Sequence, residues 1–175
     1  MIQHENGMFL LKNQNFSYLL RINGYGLPEH LHFGAPLELS DGVGLQFCPG
    51  LGWGESVLLD DKDTASCPDA LPLEWSGSGR GDYRESPLEL NLAASDMRYV
   101  NHEIRKEILP MTCGLPQARY GGETLILTLA QPNARLKLVY TLFDQVLTRR
   151  VILENTGREA LRIGKLMSFC LDLPG

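Results

Sequence analysis

The sequence predicts an all-β protein built as a large antiparallel β-sandwich, and three observations point that way. Apolar and polar residues alternate with period two over most of the chain, helical spacing is scarce, and Gly, Pro and Asn turn signals recur between the alternating stretches at hairpin spacing. Strands of this kind must each bury an apolar face, and two packed sheets are the usual way to do so.

Taken in order, FLLKNQNFSYLLRI at Phe9 sets the turn residues Lys12 to Asn15 between two apolar runs, and GLPEHLHFG follows at Gly26. From Gly34 to Gly81 the periodicity fades while Gly, Pro, Ser and Asp accumulate, as in CPGLGWGES and DDKDTASCPD. A long irregular excursion is therefore expected, and such loops are more often functional than idle. Alternation resumes at LELNLA, with Leu88, Leu90 and Leu92 on one face. ETLILTLA at Glu123 and ARLKLVYTLF at Ala134 repeat it through Leu125, Leu127 and Leu129, then Leu136, Leu138, Tyr140 and Leu142. Turns are expected at Gly121-Gly122, at Gln131-Pro132-Asn133, and at Asn155-Thr156-Gly157 between RRVILE and ALRIGKLMSFCLDL. The apolar final stretch runs to the last residue, so residues 1–175 are expected to be a single domain cut from a longer protein.

Composition narrows the function. Hydrophobic residues make up 43% of the 175 and charged ones 21%, and no apolar run reaches the roughly 18 residues of a membrane-spanning helix. Lys and Arg number 16 against 21 Asp and Glu, a net charge of -5 with no basic block, which argues against nucleic acid and anionic membranes as partners. The start, MIQHENGMFLL, lacks the features of a secretory signal, so a cytoplasmic location is expected. Cys48, Cys67, Cys113 and Cys170 form no C-x-x-C pair, and neither a metal nor any other cofactor is expected.

The constellations that might carry chemistry are sparse. His30-Leu31-His32 would point to one face of a strand at metal-ligand spacing, but without accompanying ligands these are read as structural histidines. Asp60, Asp61 and Asp63 lack the glycine and glutamate of a calcium loop, and adjacent loop carboxylates rarely meet the geometry a glycosidase pair needs. Neither a nucleophile elbow nor a phosphate loop occurs. Arg80-Gly81-Asp82 matches the integrin-binding tripeptide, but adhesion would require secretion.

The order of the segments carries more. GLPEHLHFG, LEWSGSGRGDYRESPLEL, CGLPQARY, LVYTLFDQVLTRRVILENTG and LMSFCLDLPG succeed one another in a way that resembles the N-terminal β-domain of microbial α-galactosidases of glycoside hydrolase family 36. Trp75-Ser76 stands where that family has tyrosine-proline, Arg150 where serine is usual, and residues 37–69 match poorly. The resemblance implies a galactose-mutarotase-like supersandwich that precedes a catalytic (β/α)8 barrel carrying two aspartates for retaining hydrolysis of terminal α-galactosides such as raffinose or melibiose. Those aspartates would lie beyond Gly175, so this segment alone is expected to be inactive and to support the barrel, oligomer assembly and the sugar site. Its implied partners are its own barrel, further copies of itself and galactosides.

The resemblance also implies that the long loop, about residues 42–72, reaches a neighbouring subunit's active site. Chemistry singles out Trp53 for stacking on a sugar face and Asp60, Asp61 or Asp63 for accepting its hydroxyl hydrogens, with ordinary loop roles as the alternative. GRGDYR matches the family's G-x-G-D-F-R turn, in which Asp82 and Arg84 would brace the chain through charge-assisted hydrogen bonds. A second reading is a free-standing carbohydrate-binding or mutarotase-like domain in which His30, His32, His102 and Glu74 converge.

Overall fold

The computed structural model describes residues 1–170 apart from 49, 51–56, 92, 112, 113, 115 and 119. Two four-stranded antiparallel sheets carry the fold. The first holds β1 (Ile2–Glu5), β2 (Met8–Lys12), β3 (Ser17–Ile22) and β4 (Pro28–Gly34) in chain order. The second sheet, also in chain order, runs β6 (Arg98–Arg105), β7 (Glu123–Gln131), β8 (Ala134–Leu142) and β9 (Leu147–Asn155). A short ribbon pairs β5 (Leu88–Leu90) with β10 (Ile163–Leu166).

The alternating leucines meet between the sheets. Phe9, Leu11, Tyr18 and Leu20 of the first sheet share one buried cluster with Leu125, Leu127, Leu129, Leu136, Leu138, Tyr140 and Leu142 of the second, and Leu88 and Leu90 join it. Register places each of these opposite a partner of the same face, as in Leu127 with Leu138, so one-residue slippage would turn the whole set toward solvent. Turn chemistry agrees with the pairing. Asn6 (φ 50°) and Gly7 (φ 77°) close the β1–β2 hairpin, the left-handed pair that a two-residue turn demands. Pro132 and Asn133 (φ 66°) close β7–β8, proline and a left-handed residue in the order of a type II turn.

The outer face of the first sheet is covered as well. Met8, Leu10 and Leu19 are buried there beneath the excursion that leaves β4, whose 3₁₀ turn (Leu39–Val43) sets Gly42 where a Cβ would meet the Leu19 side chain at 2.9 Å. Across the open edge of the sandwich, His4 of β1 stacks on Phe9 at 4.3 Å and meets the ring of His102 of β6 at 4.2 Å, while the Tyr99 hydroxyl lies 2.7 Å from His102 Nδ1.

Partial burial, and then the neighbouring His102, lower the pKa of His4 from its ordinary 6.5. The folded state therefore holds fewer protons than the unfolded chain as pH falls through this range, and stability present above 6.5 drains away below it. Urea denaturation at a series of pH values should show this loss, and His4→Phe, which keeps the stack on Phe9, should flatten it.

Candidate functional site

A cluster of buried polar groups centres on Glu74. Residues 72–74 run beside β4, where the His30 N–H donates to the Pro72 carbonyl (2.7 Å) and the Glu74 N–H to the Pro28 carbonyl (2.9 Å). That pairing turns the Glu74 side chain between the two sheets, where none of it is exposed. Tyr18 of β3 donates its hydroxyl to Oε2 at 2.7 Å, and Tyr140 of β8 donates to Oε1 at 2.6 Å. Arg149 of β9, its side chain 2% exposed, brings Nη1 within 2.8 Å of Oε1. That contact is an ion pair rather than an aligned hydrogen bond, because Nη1 and Nε have no acceptor in line. The Arg149 guanidinium also lies over Trp75 (5.7 Å), Tyr140 (5.3 Å) and Phe169 (5.2 Å), a cation–π cage that holds the charge away from water.

Burial alone would raise the Glu74 pKa, but Arg149, with help from His30 and Tyr140, outweighs it and holds the carboxyl below its ordinary 4.5. Burial first, and then the Glu74 charge, push the hydroxyls of Tyr18 and Tyr140 up, so both remain donors. A carboxylate enclosed on every side cannot reach a substrate. The arrangement locks two sheets and the start of the Trp75-to-Arg84 segment in one register.

That segment is braced again at its far end. The Asp82 carboxylate, fully buried, accepts from the Arg84 backbone N–H (3.1 Å) and from Arg84 Nε (2.9 Å). The same guanidinium donates to the carbonyls of Leu71 (2.7 Å) and Pro68 (2.9 Å). The GRGDYR turn is thereby tied to the returning limb of the long loop. Gly81 (φ 81°) sits where a Cβ would come within 2.5 Å of the Val57 side chain, so only glycine fits there.

Of the predicted sugar contacts, Trp53 lies outside the described residues. Asp60 and Asp61 are exposed, while Asp63 is half-buried and already engaged. Its carboxylate accepts from the Tyr25 hydroxyl (2.6 Å) and from the backbone N–H groups of Ala65 and Ser66 (3.0 Å each), and hydrogen bonds from Ser66, Tyr25 and the backbone hold its pKa below the ordinary range.

The histidines do not behave as a pair. A bulge in the β3–β4 register sets His30 opposite Leu20 and His32 opposite Leu19, on opposite faces of the sheet, because the extra residue cancels the alternation that would align them. His30 faces inward, with Nδ1 3.5 Å from Glu74 Oε2, whereas His32 Nε2 lies 3.0 Å from the Ala35 carbonyl and His102 packs at the far edge against His4. Among the described residues no group of three or more His, Cys, Asp or Glu is arranged to hold a metal. Sequence reasoning missed Tyr18, Tyr140 and Arg149 as partners of Glu74. Each sits at an ordinary strand position, and the only local hint was an arginine within an apolar run.

Comparison with known proteins supplies the context. Residues 26–175 match the model of the glycosyl hydrolase family 36 N-terminal domain. The chain is 30% identical over 180 residues to the α-galactosidase Mel36A of Lactobacillus acidophilus, covering 96% of this chain and 24% of that protein. It is 28% identical over 176 residues to the bifunctional α-galactosidase/sucrose kinase AgaSK of Mediterraneibacter gnavus, covering 94% of this chain and 19% of that one. Among solved structures, the galactosidase domain of AgaSK superposes with a TM-score of 0.87 at 26% identity, over 98% of this chain and 25% of its own. The chain thus spans about a quarter or less of the length of these relatives.

Removing Glu74 should be severe. Glu74→Ala leaves Arg149 buried without its counter-charge and should cost about 3–5 kcal/mol in urea denaturation. Tyr18→Phe and Tyr140→Phe each delete one donor and should cost about 1–3 kcal/mol. Since the folded pKa of Glu74 lies below the unfolded value of 4.5, its contribution is complete above 4.5 and fades as pH falls through the folded value.

Proposed function

The chain belongs to the glycosyl hydrolase family 36 N-terminal domain family, and we propose that it serves as the non-catalytic N-terminal domain of an α-galactosidase. In this reading it supports a catalytic barrel located elsewhere in a longer protein and helps to complete the sugar site. The observation that carries the proposal is coverage: 96% of this chain aligns with 24% of Mel36A, so the match accounts for nearly all of this sequence and leaves most of an α-galactosidase outside it. The substrates would be terminal α-galactosides of the raffinose and melibiose type, cleaved in the cytoplasm.

We further propose that the loop of residues 42–72 reaches a neighbouring subunit of a homo-oligomer. Trp53 would stack on the sugar, and Asp60 and Asp61, both exposed, would accept its hydroxyl hydrogens. Asp63, held by Tyr25 and two backbone N–H groups, fits better as the residue that shapes the acidic turn. The Asp82–Arg84 pair supports this reading because its guanidinium grips Leu71 and Pro68 at the root of the loop. The free-standing mutarotase-like reading has less support. Glu74 is enclosed, and His30 and His32 stand on opposite faces of their sheet.

In the full-length protein, hydrolysis of raffinose or melibiose is expected, and inactivity on all α-galactosides would overturn the assignment. Trp53→Ala and the double variant Asp60→Asn/Asp61→Asn should each lower kcat/KM about tenfold, the scale of one lost sugar contact. Asp82→Ala removes the carboxylate partner of the half-buried Arg84 guanidinium, should cost about 1–3 kcal/mol of stability, and should weaken substrate binding through the loop.

A further inference from the structure

We infer that the cleft between the β3–β4 hairpin and the overlying excursion is a binding site for a neutral, sugar-sized polyhydroxyl ligand. It is separate from the Glu74 centre and from the loop tip at Asp60 and Asp61. The cleft has a volume of about 280 Å³, near the lower end of small-molecule sites and suited to a single sugar ring.

Its floor is an ion pair on the outer face of the first sheet. Arg21 of β3 and Glu29 of β4 are register partners, with Arg21 Nε donating to Glu29 Oε2 at 2.5 Å. Glu29 lies wholly beneath the guanidinium, and the Asn23 side-chain amide donates to its other oxygen at 2.8 Å. Above, Arg21 Nη1 donates to the Gln46 side-chain carbonyl and Nη2 to the Phe47 backbone carbonyl (3.2 Å). Asn23 Oδ1 accepts from the N–H groups of Tyr25 and Leu27 (3.0 Å each), and the Tyr25 hydroxyl is anchored on Asp63. Met8 and Leu71 close the apolar wall.

Three features of this floor select the ligand. Desolvating Arg21 and Glu29 is costly where an apolar pair would pack as well, so their presence under a cleft marks a demand for polarity. Their charges cancel, which disfavours anions and cations alike. Each Nη carries two hydrogens and spends one internally, and the Asn6 amide at the rim makes no hydrogen bond among the described residues, so unused donors and an acceptor remain. Hydroxyl groups answer both. Because the lining groups are held by one another, little ordering is needed on binding.

The use of galactose as probe rests on the family assignment; the cleft geometry does not. Amide chemical shifts of the ¹⁵N-labelled chain should be followed during titration with D-galactose, with inorganic phosphate and glycerol as comparisons. Expected is saturable binding on the order of 1 mM, with shifts confined to Gly24, Tyr25, Gln46 and Ser66 and absent with phosphate. Gln46→Ala, and Asn6→Gly, which tolerates the left-handed turn, should each weaken binding at least about fivefold, with the melting temperature unchanged in Asn6→Gly and the fold retained in both. Absence of saturation up to about 50 mM galactose, an equal response to phosphate or glycerol, or full binding in both variants would overturn the inference. Hydrolysis by the full-length enzyme is read separately, so intact activity alongside absent galactose binding would overturn this site alone.

Discussion

A single buried carboxylate constrains the rest of the molecule. Glu74 has no water to solvate it, so every lone pair it presents must be met by the protein, and the partners come from both sheets: Tyr18 from one, Tyr140 and Arg149 from the other. Leucines packed across a sandwich tolerate small sliding movements. A carboxylate held at hydrogen-bond distance by two phenols does not, because withdrawing one donor costs about 1–3 kcal/mol. The apolar cluster supplies the driving force for packing, and Glu74 specifies how the sheets are placed.

The same residue fixes where the irregular excursion returns. Residues 72–74 join β4 by backbone hydrogen bonds, and the turn at Asp82 and Arg84 reaches back to Pro68 and Leu71. The loop that departs after β4 and returns at Leu71 is therefore anchored at its root by charged and backbone contacts. Such an arrangement suits a domain whose proposed role is to present groups to chemistry carried out elsewhere in a larger enzyme.

Much of the architecture is legible in the residues themselves. The two sheets follow from period-two alternation and from turns whose residue types admit only particular φ values, such as Pro132-Asn133. The family follows from the order of several motifs, which constrains identity more tightly than any single one. The N-terminal hairpin escapes a reading based on long alternating runs, although Asn6-Gly7 is a strong two-residue turn signal. Simple alternation misplaces His30 and His32 relative to one another because a bulge breaks the period on which such inferences rest, and nothing in the local residues announces it.

Alternation, turn chemistry and motif order are properties of neighbouring residues, so the chain alone established the all-β class, most of the strands and the long excursion. The Glu74 centre joins residues 56 and 66 positions apart, and the cleft joins Arg21 to Gln46 and Tyr25 to Asp63 across 25 and 38 positions. Which distant polar side chains meet depends on register, bulges and the path of an irregular loop. Those emerge only when the sheets stack, because burial then makes an unpaired charge costly enough to select one arrangement over the others.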